Sequence, residues 1–227
     1  MHVLEDDAQT TESTGTIRCC SGVRHLIPFV LLLAACSSPE AAAVVTDDGA
    51  EPIQLSMSLY VLDAADGDAT LSSQRELTEV EGIAKRINDI WAQAGIELSV
   101  ETVTRIDVPA AVLADLAAGD TSSFFQAAGD GGFTVPGAAT INGFYVRQIG
   151  GANGMAPFGS RIFYVADEPT VHDERVSSHE IGHILGLHHD LEDNGRLMFS
   201  GTNGTDLTED EITSARYAAT GILDGVR

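Results

Sequence analysis

From Ile53 to Leu62 the sequence IQLSMSLYVL places Ile, Leu, Met and Leu at every second position and then turns continuously apolar, which predicts a first β-strand. The Asp63–Asp68 cluster predicts a turn. Leu77, Val80, Ala84, Ile87, Trp91 and Ala94 then recur at spacings of three and four, one apolar stripe on a helix. Ser72 or Ser73 can cap that helix, which continues to about Ala94, and Gly95 stops it. Trp91 on the stripe reads as core. Ile96–Ile106 (IELSVETVTRI) alternates as a second strand, and Pro109–Ala118 reads as a short Ala/Leu helix. The Gly-rich Gly119–Ala139 stretch predicts an ordinary loop. Ile141–Ile149 and Arg161–Ala166 predict the third and fourth strands. A polar segment, Asp167–Arg175, leads into a helix from about Asp173 to Leu187. Thr208, with Glu211 three residues on, forms a capping box for a last helix to about Ala219, with Ile212, Ala215 and Ala219 on one face. No internal repeat is visible.

The N-terminal quarter has a different character. Leu26–Ala35 (LIPFVLLLAA) is an apolar run preceded by Arg18, Arg24 and His25, too short to span a bilayer and suited to the h-region of an export signal. It ends Leu33-Ala34-Ala35-Cys36, similar to the lipobox of bacterial lipoproteins, in which the Cys becomes the lipidated first residue. The Ser-, Ala-, Asp- and Pro-containing stretch 37–52 then reads as a flexible tether, so 1–36 is expected to be lead and signal, and 53–227 the folded domain. The acidic lead (Glu5, Asp6, Asp7, Glu12) is unusual before such a signal, and translation is expected to begin near Val23. Cys19, Cys20 and Cys36 all lie at or before the cleavage point, leaving the domain without a thiol for a disulfide or for a latency switch.

A net charge of -22 with 12 Lys+Arg argues against nucleic acid as a partner, since phosphate contacts need basic surface. It fits an exported, soluble domain in a salty or calcium-containing milieu, or one with basic substrates.

Candidate chemistry is concentrated in His179-Glu180-Ile181-Gly182-His183-Ile184-Leu185-Gly186-Leu187-His188-His189-Asp190. Histidines four apart on a helix lie one turn above each other, so His179 and His183 can aim both imidazoles at one point. Glu180, about 100° round the helix from His179, is set beside such a metal rather than on it, where a general base belongs. Gly186 can take the left-handed conformation that ends the helix and brings a third histidine back. His188 rivals His189 for that place.

The spacing HExxHxxGxxH resembles the metzincin zinc endopeptidases, and Met198, nine residues past His189, supplies the Met-containing turn that follows in that clan. The resemblance covers roughly 53–220 and implies an α+β metzincin (zincin-like) domain: a twisted mixed β-sheet with two long helices above the site (53–190) and a small C-terminal helical part (191–227) below. It implies a catalytic Zn2+ on His179, His183 and His189, hydrolysis of peptide bonds by a zinc-activated water with Glu180 as base, and Met198 as an apolar floor. Ser200 stands where some relatives carry a Tyr ligand. Asp190, shared with adamalysin-like proteins where matrixins have Ser, is expected to support the turn below the active-site helix. Gly150–Ala156 resembles the glycine-rich connection before the matrixin edge strand, which implies that residues around Arg161–Val165 run along the cleft and pair with substrate. Some relatives keep a structural Ca2+ in Asp/Gly loops, and Asp120 and Asp130 are the candidates. The expected protein is a monomeric, lipid-anchored envelope or secreted endopeptidase acting on protein or peptide substrates. The alternative is a surface binding or adhesion lipoprotein that keeps zinc without cleaving; Glu180 argues against it, because a structural zinc fills its fourth position with protein.

Overall fold

The computed structural model describes residues 51–135 and 139–225. The expected signal segment 1–36, with Cys36 as the expected lipid-anchor residue, and 37–50 of the expected tether lie outside the described residues.

Five strands form one sheet in the order β2-β1-β3-β5-β4: β1 (Ile53–Ala64), β2 (Ile96–Val108), β3 (Ile141–Val146), β4 (Gly154–Met155) and β5 (Ile162–Ala166). The first three pairings are parallel and β4 joins β5 antiparallel, so the sheet is mixed, as expected. Parallel neighbours need a crossover. Helix α1 (Leu77–Trp91) supplies the one from β1 to β2; α2 (Ala110–Ala117) and α3 (Ser122–Gly129) lie between β2 and β3.

The strand patterning follows from coverage of the two faces. Leu55, Met57, Leu59 and Val61 of β1 point into a core shared with Val80, Ile83, Ile87 and Trp91 of α1. Val176, Ile181 and Ile184 of α4 (Asp173–Ile184) and Ala215, Ala218, Ala219 and Ile222 of α5 (Glu209–Leu223) join the same core. The opposite face carries Tyr60 and Leu62, packed with Leu113 and Leu116 of α2, Phe124 of α3, Phe144 and Tyr164. Both faces of β1 are covered only towards its end, which explains why the sequence alternates first and then runs apolar. The last helix therefore shares the main core, and its Thr208–Glu211 capping box forms as the sequence predicts.

Four expectations need correction. Ser72 and Ser73 do not cap α1, which starts at Leu77. Ser72 Oγ instead bonds the Ala64 N–H (2.9 Å) and Asp68 carbonyl (2.8 Å), and Ser73 Oγ donates to Asp167 (2.6 Å). The Gly119–Ala139 loop contains α3, led in by Asp120, whose Oδ1 accepts from the Ser122 N–H at 2.8 Å. The third strand ends at Val146 rather than Ile149. Finally, the segment around Arg161–Val165 is not the sheet edge. Tyr164 and Val165 pair with β3 on one side and with β4 on the other, and β4 is the edge. A two-residue strand carries no periodic signal, so the sequence pattern could not reveal it.

One buried cation fixes where α4 begins. Arg75, 3% exposed, donates to the Ala166 and Asp167 carbonyls at 3.0 and 2.7 Å and pairs with Asp173 at 2.5 Å and Glu79 at 2.6 Å. Its guanidinium lies 5.4 Å from the Tyr145 ring centroid, and Tyr145 shares a 3.2 Å hydrogen bond with Ser177 of α4. The start of α1, the end of β5 and the first turn of α4 thus meet on one side chain. Removing one member of a buried ionic network leaves the others unpaired, typically at about 3–5 kcal/mol. Arg75→Ala is therefore expected to lower the unfolding free energy by about that amount in urea titration; a loss below about 1 kcal/mol would show the network to be dispensable.

Candidate metal centre

Helix α4 carries Asp173 and Glu174 in its first turn, where negative charge suits the helix dipole, and ends in a Schellman turn. The Leu187 N–H donates to the Gly182 carbonyl (2.8 Å) and the Gly186 N–H to the His183 carbonyl (3.1 Å). Gly186 sits at φ +82°, the left-handed region expected of it. The helix closes at Ile184, earlier than the predicted Leu187, and the turn sends the chain back towards the histidines.

His179, His183 and His189 come together, each offering one ring nitrogen, with these atoms all within 4.8 Å of one another. Among the described residues this is the group of three or more His, Cys, Asp or Glu that could share a metal ion. His188 is not part of it; it lines the neighbouring cleft. His179 is buried and its Nδ1 bonds the Leu197 carbonyl at 2.8 Å; His183 Nδ1 bonds the Leu187 carbonyl at 3.0 Å. With Nδ1 donating, each Nε2 presents a lone pair, the arrangement metal-bound histidines adopt. His183 Nε2 and His189 Nε2 are 3.1 Å apart. Tetrahedral ligands at Zn–N bonds of ~2.0–2.1 Å would be about 3.3 Å apart, so the spacing suits zinc. Burial pushes the His179 pKa down to about 4 and lowers that of His183, which keeps their imidazoles neutral and available as donors.

Glu180 is not in the ligand group. Its carboxylate, 6% exposed, packs against the sheet edge near Gly154, and the Ala156 N–H exerts a pull that favours the ionised form. A Cβ on Gly154 would lie 2.9 Å from Glu180 Oε1, so β4 approaches this carboxylate closely because residue 154 has no side chain. Burial raises the Glu180 pKa to about 8, against the pull of the Arg175 guanidinium and the Ala156 N–H.

Below the histidines, Met198 is fully buried, and a Cβ on Gly182 would meet its Sδ at 2.5 Å. The bare glycine face of α4 is what admits the thioether. Met198 is held by its chain neighbours: its carbonyl accepts from the Asp190 N–H (3.0 Å), and the Leu197 N–H donates to the Asp206 carbonyl (2.9 Å). The Asp190 side chain caps its own turn, accepting from the Glu192 and Asp193 N–H groups at 2.7 and 3.1 Å, which lowers its pKa. These bonds support the bend after His189. An open cleft of about 670 Å³ runs beside His183, with the Ala156–Arg161 segment as one wall and Ile184, Leu187 and His188 on the other.

The fold is similar to that of archaemetzincin from Methanopyrus kandleri. The two chains are 12% identical with a TM-score of 0.50, over 78% of this chain and 99% of that one. No protein-family model and no curated protein matches the sequence. At this identity the similarity speaks for the fold alone.

Two features of the centre escaped sequence reasoning. One is the edge segment Gly154–Ala156 against Glu180, brought there by nonlocal pairing. The other is Arg175, read only as part of a polar approach. It stands four residues before His179 and eight before His183, on the same stripe of α4, and that spacing was the available signal.

Alanine at Gly182 gains about 1 kcal/mol of helix propensity but overpacks Met198, which typically costs about 1–3 kcal/mol. Gly182→Ala is expected to lower the thermal midpoint and weaken metal retention together. A variant more stable than wild type, with unchanged metal retention, would contradict the close packing of Met198 on α4.

Proposed function

We propose that the protein is a zinc-dependent endopeptidase of metzincin type. The observation that carries this reading is the convergence of three imidazole nitrogens beside a buried carboxylate that is not among the ligands. A structural zinc would normally take a fourth protein ligand, whereas three ligands with room for solvent are the catalytic pattern. The similarity of fold to archaemetzincin agrees with the fold that this reading requires.

His179, His183 and His189 would hold the ion, with His179 and His183 oriented through their Nδ1 bonds to backbone carbonyls. Zinc supplies Lewis acidity: it acidifies water, polarises a carbonyl oxygen and, by its charge, draws Glu180 towards the ionised form. Glu180 accepts the proton of the attacking water and delivers it to the leaving amine. The close approach of β4 at Gly154 would confine the carboxylate for both transfers. An extended peptide would lie along the Ala156–Arg161 wall of the cleft, beside the open edge of β4, and pair with it by strand addition. The lipid anchor at Cys36 would place this activity in the cell envelope.

Wild type and the isosteric Glu180→Gln are expected to bind one zinc each. The variant should cleave a mixed peptide library about 10²–10⁴-fold more slowly, the usual contribution of a general base. His183→Ala should lose both zinc and cleavage. A wild type that holds its zinc fully yet cuts nothing that Glu180→Gln spares would instead identify a zinc-containing binding protein.

A further inference from the structure

Arg175 is buried to 3% exposure in the first turn of α4, yet among the described residues no carboxylate lies within ion-pair distance of it. Burying a guanidinium is costly unless its donors are satisfied. Backbone carbonyls satisfy this one. Nη2 donates to Leu197 O at 2.8 Å and to Phe199 O, and Nε reaches Gly204 O at 3.4 Å. The residue between the first two acceptors is Met198, the floor of the centre. Leu197 O is also the acceptor for His179 Nδ1 at 2.8 Å. One carbonyl oxygen therefore takes a donor from Arg175 and a donor from the first histidine, one helical turn apart on the same helix.

We propose that Arg175 is a positioning residue of the metal centre. By clamping Leu197 and Phe199 to α4 it fixes the carbonyl that orients the His179 ring, and it sets Met198 against Gly182. The planar fork of a guanidinium suits this task, because it presents several donors in a fixed geometry to acceptors on the segment it holds. A lysine carries three donors on one nitrogen at the end of a flexible stem, so it can reach the two carbonyls that share Nη2 but cannot also hold the Gly204 carbonyl that Nε reaches. The inference rests on the zinc reading above, since orientation of His179 matters only where its Nε2 has an ion to hold. It goes beyond that reading in assigning a role to a residue outside the ligand set.

The test uses the whole protein as wild type, Arg175→Met, Arg175→Lys and Ile87→Ala, the last a core truncation in α1 that supplies a matched loss of stability. Zinc affinity is read by chelator competition, and the ligand field by the visible absorption of the cobalt(II) form. Groups that orient metal ligands are typically worth 10–100-fold in metal affinity. Arg175→Met is expected to weaken zinc binding by about that factor and to shift the cobalt bands. Arg175→Lys should recover part of both, and Ile87→Ala should change neither. If Arg175→Met and Arg175→Lys lose stability like Ile87→Ala while keeping wild-type zinc affinity and cobalt spectrum, Arg175 is structural and the proposal is overturned. If Arg175→Met does not fold, Arg175→Lys alone decides by the same two readings. If wild type itself binds no zinc, the zinc reading fails, and this inference falls with it.

Discussion

The Leu197 carbonyl is the point on which two distant parts of the chain depend. It accepts from His179 Nδ1 and from the Arg175 guanidinium, each at 2.8 Å, while the Leu197 N–H is engaged by the Asp206 carbonyl at 2.9 Å. Helix α4 alone can align only two histidines, because its third approaches from the segment beyond Gly186. The bends after His189 and around Met198 must therefore be tied to the helix by contacts that no helical repeat supplies. Hydrogen bonds from buried side chains to backbone carbonyls do this without further regular structure.

The sheet serves the same end from above. Arg75 joins the end of β5 to the start of α4, so the helix axis is set before its histidines are considered. The edge strand β4 also approaches the helix closely at Glu180, which Gly154 permits by lacking a Cβ. Burial alone would favour the neutral acid, and the Arg175 charge opposes that. A carboxylate held between these influences, on the helix that carries two of the three clustered histidines, is suited to take up and give back a proton.

How much of this was legible follows from the range of each interaction. The HExxHxxGxxH spacing is local, and the helix period with the glycine turn accounts for His179, His183, Glu180 and Gly186. Core stripes such as Val80–Ala84–Ile87–Trp91 were readable for the same reason. The third histidine followed from a resemblance, and the coordinates bring His189 rather than His188 to the other two. What could not be read depends on pairing across the fold. Ser73 looks like a helix cap until Asp167 claims its hydroxyl. Residues around Arg161–Val165 look like a free edge until Gly154 and Met155 pair with Val165 and Tyr164. Helix α3 is short and flanked by glycines, so its composition suggested a loop. Arg175 is one more charge in a polar stretch of the sequence, although its spacing to both histidines sets it on their stripe of the helix.

Zinc K-edge X-ray absorption on the zinc-loaded protein tests the central claim most directly. The account predicts three imidazole nitrogens and one solvent oxygen at about 2.0–2.1 Å in the first shell, unchanged in Glu180→Gln. A first shell filled by four protein ligands, or one that loses an oxygen in Glu180→Gln, would contradict an open centre with Glu180 standing beside the metal.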